Sequence, residues 1–493
     1  MTLTAPQPAP SYSQTDWLRG YESQPQDYDY WLEPEDIQGV IPPELIGTLF
    51  RNGPGLLDIG GRPIRHPFDG DGLVSAFTFH PQGRVHFRCR FVRTQGYLEE
   101  QAAGRMLYRG VFGTQPAGGW LHNAFDLRLK NIANTNVWYW GGKLLALWEA
   151  AQPYGLDPNT LETLGLEDLQ GQLKPKQAFS AHPRRDPHCE LDGGQPCLVN
   201  FSLKSGPKSE ITLLEFNPQG SLVRSHSQAI AGFSFIHDFA ITPQYAIFLQ
   251  NQVRFNPLPY LLGWRGAGEC VQFQPQKPAQ LILIPRRPPY GEALIFSVEA
   301  GFVFHHANAF EEGSKIYLDS ICYNSLPQIN PDLDYKQVNF EQLDPGQLWR
   351  FSLDLESGTI ERQCLLGRSC EFPSLHPQHM GRPYRYVYLG ATHAPVGNAP
   401  LQAVVKLDLA TGTEQIHSFA PRGFAGEPIF VPRPGASQED EGWLLVLKYD
   451  AANHRSALVI LNAGDLTQEP LAVLNLRHHL PYPLHGTWTE TVL

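Results

Sequence analysis

The 493-residue chain lacks any run of about 18 consecutive apolar residues, so no segment is long enough to span a membrane as a helix. It also lacks a positive charge excess. Its 38 Lys and Arg stand against 49 Asp and Glu, a formal net charge of -11, which excludes the basic face of a nucleic-acid binder. The N-terminal stretch MTLTAPQPAPSYSQTD has neither the basic nor the apolar part of a secretory signal. Cysteine is sparse and odd in number (Cys89, Cys189, Cys197, Cys270, Cys322, Cys364, Cys370), with no Cys-x-x-Cys pair. That usage reads as small core thiols in a reducing, cytoplasmic compartment. Cys189 and Cys197 flank an Asp-Gly-Gly turn and are placed for a bridge, which this reading does not favour. Long amphipathic helical patterns are missing, and the best short candidate runs from Glu99 to Tyr108. The glycine-rich segment Pro67 to Gly72 lacks the Lys-Ser/Thr of a phosphate loop.

Strand formers and turn formers are plentiful instead. With 27 Phe, 19 Tyr and 10 Trp punctuated by 45 Gly and 43 Pro, the composition points to an all-β fold of short strands and tight turns. Residues 1–30 are polar and Pro-rich and read as an unstructured lead-in; residues 31–493, undivided by any linker, read as one domain. A hairpin signal recurs within that domain, at Gly83, Thr160, Gly220, Gly291, Gly358, Gly412 and Gly464, with spacings of 52 to 77 residues. Seven similar antiparallel units predict a seven-bladed β-propeller. The units exceed the roughly 40–50 residues of common propeller repeats, so extra loops must sit over one face.

The stretch Gly301 to Phe310 reads as a buried strand with His305 and His306 at its middle. Side chains alternate along a strand, so the two rings point to opposite faces. A buried imidazole needs a partner, and a metal ion or a core hydrogen bond would each serve. His182, His237, His305 and His485 follow hairpin turns by 22, 17, 14 and 21 residues, where the innermost strand of a new blade begins. Glu371 and Glu427 occupy the same place, 13 and 15 residues after their turns. Glu149 is a third acid, embedded in the apolar Leu145-Ala146-Leu147-Trp148 strand. Four imidazoles would converge on the axis, with carboxylates on their free N–H groups compensating a divalent ion. Ligand type alone leaves Fe, Zn, Cu and Ni open.

Several motifs make the pattern specific: Arg51-Asn52-Gly53-Pro54-Gly55, His66 to Gly72, Ala133-Asn134-Thr135-Asn136, Phe304-His305-His306-Ala307-Asn308, Glu427-Pro428-Ile429-Phe430-Val431 and His485-Gly486-Thr487. From about Tyr30 to the C-terminus the chain resembles the carotenoid cleavage oxygenases, nearest to their cyanobacterial apocarotenoid-cleaving members. That resemblance implies a seven-bladed propeller under a dome of loops and helices. It implies an axial Fe(II) on His182, His237, His305 and His485, with Glu149, Glu371 and Glu427 behind the last three in that order. It also selects His305 rather than His306 as the ligand and places Thr135 close to the iron. The activity implied is dioxygenase cleavage of an apocarotenal or apocarotenol at its 15,15′ double bond with O2, giving retinal and a second carbonyl product. Stilbene or other polyene cleavage, isomerohydrolase chemistry and a metal-free propeller scaffold are the alternatives.

Trp148, Phe235, Phe304 and Tyr323 lie near these residues in sequence and are candidate walls of an apolar substrate tunnel, though plain core explains each as well. Asn256 to Trp264 is a Pro-rich apolar stretch that reads either as core or as a patch dipping into a membrane surface. The resemblance favours the second, hence a monomeric, cytoplasmic protein held peripherally on a membrane. His376, His379, His478 and His479 are surplus and read as structural or surface residues.

Overall fold

Strand after strand in this chain is apolar on both sides, and the architecture explains why. The computed structural model describes residues 12–189, 193–327 and 334–493. Seven antiparallel sheets of four or five strands are arranged as the blades of a propeller, and blades 2 to 6 are each built from strands in chain order. Blade 2 is Asn136–Trp140, Lys143–Leu147, Tyr154–Leu156 and Thr163–Leu166. Blade 3 opens with Arg184–Asp186, blade 4 with Ala240–Ile241, blade 5 with Phe302–Glu312, blade 6 with Cys370–Ser374 and blade 7 with Gly423–Pro432. Blade 1 takes its innermost strand, Gly486–Thr489, from the C-terminus, paired with Gly47–Leu56. Blade 7 takes its outermost strand, Ile37–Gly39, from near the N-terminus. The two chain ends therefore close the ring by hydrogen bonds made in opposite directions.

Each of the seven hairpin turns expected from the sequence joins the third and fourth strands of a blade, or their equivalents in blade 1. Gly358 and Gly412 take φ of +69° and +71°, a region that costs a Cβ-bearing residue free energy, which is why glycine marks these corners. Between neighbouring blades lie seven apolar wedges, one at each interface around the ring. Strands sandwiched by two wedges lose their period-2 pattern: all nine residues of Asp71–Phe79 are buried. The apolar core is thus a ring of wedges, and the axis is left to polar side chains.

The connections after blade 1 and within blade 4 carry most of the helix. Helix α1 is Gln14–Arg19, α2 is Gln95–Ala103, α3 is Gly119–Asn123 and α4 is Pro257–Leu261. Helix α2 begins earlier than the Glu99–Tyr108 reading because Thr94 caps it by accepting from Tyr97 N, and it stops at Gly104 in the left-handed region. Tyr108 still meets Glu99, donating its hydroxyl across the turn that follows.

The unstructured lead-in expected over residues 1–30 needs correction. Residues 1–11 lie outside the described residues, but α1 and the strand Tyr28–Trp31 fall within it, and that strand adds to blade 1. The physical reason is aromatic: Trp17 and Tyr21 pack edge-on with Phe340, Tyr335 and Tyr482, a contact set too distant in sequence to foresee. The cysteine reading also shifts. Cys189 and Cys197 are bridged with Cα atoms 5.7 Å apart, because the pairing of Asp186 with Cys197 brings both chains together. Of the remaining five, Cys364 is exposed and the others are buried.

Candidate metal centre

The axis gathers one position from the start of each inner strand. Thr135 precedes the inner strand of blade 2, His182 that of blade 3 and His237 that of blade 4; His305, Glu371 and Glu427 lie within those of blades 5, 6 and 7; His485 precedes that of blade 1. Propeller geometry turns this recurring sequence position into spatial convergence. The ring nitrogens of His182, His237, His305 and His485 all lie within 4.8 Å of one another. His182 Nε2 and His237 Nε2 are 2.9 Å apart.

Three of the four rings are anchored from behind. His305 Nδ1 is 2.6 Å from Glu371 Oε2, His485 Nδ1 is 2.9 Å from Glu427 Oε1, and His237 Nδ1 contacts Glu149 Oε2. Each carboxylate accepts the Nδ1 proton, so each Nε2 presents a lone pair to the axis. Tyr323 donates its hydroxyl to Glu371 Oε1 at 2.6 Å, and Arg51 donates to Glu427 Oε2 at 2.5 Å. His182 has no carboxylate behind it, and burial followed by its histidine neighbours drives its pKa well below the usual imidazole value. For His305, burial is the largest single influence and pulls downward, but the charge and hydrogen bond of Glu371 together with the charges of Asp238 and Glu427 outweigh it and the pKa is raised.

These residues fit a divalent cation. His305 Nε2 is buried without a hydrogen-bond partner among the described residues, an arrangement that burial alone penalises. At most one Nε2–H···Nε2 bond can form between His182 and His237, so other lone pairs face each other unrelieved until a cation joins them. The charges close as well. A divalent ion together with the Arg51 guanidinium balances Glu149, Glu371 and Glu427.

His306 points away from this centre. Its Nδ1 is 2.7 Å from Ser320 Oγ, its backbone N donates to Asp238 Oδ2 at 2.8 Å, and burial lowers its pKa to about 4. Register shifts in the strand pairing on either side of His306 separate the two rings.

The four candidate wall residues and Thr135 divide into three groups. Phe304 lies edge-on to His237 at 5.8 Å between ring centroids and 6.1 Å from Tyr323. Phe235 joins them through Phe302, within one aromatic cluster that also holds Phe233, Phe255 and Phe273. Trp148 stands apart, lining a small cavity with Met106, Tyr108 and Ile132. Thr135 is buried, with its hydroxyl on Asn134 Oδ1 at 3.2 Å. Sequence reasoning missed Phe372, whose ring lies 5.8 Å from His305 and 5.3 Å from His485. It also missed the role of Arg51, although the motif that contains it was noted; only its pairing with Glu427 reveals the charge balance.

The stretch Asn256 to Trp264 is partly exposed, but not where its sequence is most apolar. Leu258 and Trp264 are exposed, whereas Leu261 and Leu262 are half-buried because Leu261 O accepts from Phe125 N. It abuts α3, and together they expose Trp120, Leu121, Phe125, Leu127, Leu258 and Trp264. The surplus histidines are structural: His376 caps a short helical turn and His478 stacks on Tyr28. No helix among the described residues is long and apolar enough to cross a membrane.

The chain matches the retinal pigment epithelial membrane protein family over residues 21–490. It is 64% identical to an apocarotenoid-15,15′-oxygenase of Synechocystis sp. over 494 residues, covering 100% of both chains. It is 30% identical to a resveratrol cleavage oxygenase of Aspergillus fumigatus, with 92% of each chain covered. The crystal structure of the cobalt-substituted Synechocystis apocarotenoid oxygenase superposes with a TM-score of 0.96 at 65% identity, covering 98% of this chain and 100% of that one.

Proposed function

The chain belongs to the retinal pigment epithelial membrane protein family of carotenoid cleavage oxygenases, and from that premise we propose that it is a non-haem Fe(II) dioxygenase cutting the 15,15′ double bond of apocarotenals or apocarotenols. The overall change adds O2 across one C=C and breaks it, leaving an aldehyde on each fragment, one of them retinal. Both oxygen atoms are accounted for and no proton is gained or lost, so no general acid or base is needed.

The observation that carries this reading is the ring of four histidines backed by three carboxylates, with His305 Nε2 unpartnered. His182, His237, His305 and His485 would hold the iron, which when bound supplies the spin-allowed chemistry by which O2 attacks a closed-shell alkene. Glu149, Glu371 and Glu427 fix the tautomers, and Tyr323 and Arg51 hold two of those carboxylates in place. The cluster of Phe304, Phe235, Phe302 and Tyr323 would grip the polyene and exclude water, setting which bond lies beside the axis. Thr135 and Phe372 would restrict approach to the four histidines, and Trp148 would support Glu149 from the adjacent position in the chain.

The exposed α3–α4 surface suits a peripheral membrane contact, since the substrate dissolves in lipid. A monomer resting there would take up apocarotenoid directly from the bilayer.

Anaerobic purification with metal analysis, followed by incubation with an apocarotenal and O2, tests the activity. Stoichiometric iron and retinal among the products are expected; full activity in His305→Ala would overturn the site. The 30% identity to a resveratrol cleavage oxygenase makes stilbene cleavage the second reading, and product analysis with both substrates separates the two.

A further inference from the structure

Below the histidines, the propeller axis opens into a cavity of about 520 Å3. His182 and His485 border it directly, and Arg184, Arg185, Thr487 and Thr489 line it further out. Its walls come mainly from the inner strands of blades 1, 2, 3, 6 and 7, running from His182, Glu427 and His485 toward the C-terminal side of the axial positions. The aromatic cluster of Phe235, Phe302 and Phe304 lies on the N-terminal side of the same level. The histidine ring therefore separates an aromatic cluster from an open cavity of mixed lining, in which Trp138, Trp140 and Phe430 alternate with the hydroxyls of Thr487 and Thr489 and the carboxylates of Glu427 and Glu490.

We infer that the metal ion reaches its four histidines through this open axial cavity, which carries oxygen donors along its length, rather than through the aromatic side. The inference rests on the metal-centre reading above. A hydrated divalent cation entering among those aromatic side chains would lose its water without replacement, which an apolar medium penalises heavily. In the axial cavity, hydroxyls and carboxylates can substitute for that water. The cationic side chains there are countered. Arg184 is paired with Asp238 at 2.5 Å, and Arg185 is opposed by the charge of Glu490, which is exposed beside the cavity. Glu490 is thus the carboxylate a cation meets at the rim, and Glu427, behind His485, is the one it meets last.

The test follows Co2+ uptake by the metal-free full-length protein through the visible absorption of the bound ion in stopped flow. Thr489→Trp, which narrows the cavity, should slow uptake roughly tenfold or more while leaving the equilibrium dissociation constant unchanged, since a blocked route slows entry and exit alike. Glu490→Lys, an exposed change that does not strain the core, should slow uptake about threefold at low ionic strength, with the difference fading near 0.5 M salt. Phe304→Trp on the aromatic side should leave the uptake rate unaltered. Unchanged rates in both Thr489→Trp and Glu490→Lys, or slower uptake in Phe304→Trp, would overturn the route. Absence of saturable Co2+ binding by the unaltered protein would instead remove the metal centre itself, and the route with it.

Discussion

Arg51 donates to Glu427 at 2.5 Å with its side chain only 1% exposed, and Glu427 in turn holds the ring of His485. A carboxylate that is already ion-paired donates less charge to the imidazole than a free one, so Arg51 tempers the histidine it never touches. Removing the guanidinium would leave a buried, unbalanced carboxylate. Arg51→Met should destabilise the metal-free protein by about 3 kcal/mol or more in denaturant unfolding. The double variant Arg51→Met/Glu427→Gln should be less destabilised than the sum of the two single changes, because each removes the other's unpaired charge. Strict additivity would show that the pair is not coupled.

Glu371 stands between His305 and Tyr323, with a 2.6 Å contact on each side. Glu371→Gln should weaken Co2+ or Fe2+ affinity roughly 10- to 100-fold, the usual effect of losing a carboxylate behind a ligand histidine. Tyr323→Phe removes one hydrogen bond to that carboxylate and should weaken affinity by a smaller factor. Metal titration of both variants ranks them, and an equal or larger loss in Tyr323→Phe would contradict the order.

Phe304 sits edge-on to His237 and against Tyr323. Phe304→Ala should lower kcat/KM for an apocarotenal about tenfold or more and broaden the set of cleavage products, since a misplaced polyene loses the benefit of orientation. Chromatography of the products after a single turnover provides the readout. A single product at unaltered rate would place the substrate elsewhere.

The α3–α4 surface exposes Leu121 and Leu258, at 73% and 58%. Leu121→Glu combined with Leu258→Glu should reduce sedimentation with liposomes severalfold and leave the unfolding midpoint within about 0.5 kcal/mol of the original, as surface changes usually do. Undiminished liposome binding would place the membrane contact on another face.

Asp69 is buried, accepts from Phe112 N at 2.9 Å and Thr114 N at 3.2 Å, and lies near the charge of Glu269. Burial is the main reason its pKa rises to about 6 from an ordinary 3.8. The folded protein thus holds a proton that the unfolded chain has lost between those two values, so this group favours folding most at low pH and loses that contribution as pH rises from about 4 through 6. Asp69→Asn should remove that part of the pH dependence, on the order of 3 kcal/mol across the window. Parallel stability–pH curves for the two proteins would refute it.

Much of the architecture was legible before any coordinates. The seven turns mark the outer corners of seven blades, and at four of them, Gly83, Gly220, Gly358 and Gly412, φ above zero is a local demand that glycine meets on its own. The motif positions from Thr135 to His485 mark inner strands because each blade repeats the same order of strands. Other features were not legible, for a common reason. Alternation along Phe302–Glu312 could not choose between His305 and His306, since register shifts beside His306 break the period and only pairing with Lys315–Tyr323 defines them. The packing of Trp17 with Phe340, the Cys189–Cys197 bridge and the exposure of Leu258 rather than Leu261 likewise depend on which distant surfaces meet.

The sequence by itself determined the strand-rich class, the sevenfold count and the set of histidines and acids, all of which follow from local turn chemistry and a recurring order of residues. Only the tertiary structure decided that Arg51 neutralises Glu427, that Tyr323 shares Glu371 with His305, and that an aromatic cluster and an open axial cavity lie on opposite sides of the histidine ring. Arg51 and Glu427 are 376 positions apart and meet because the two chain ends close the ring, whereas Tyr323, Glu371 and His305 meet because neighbouring blades pack side by side.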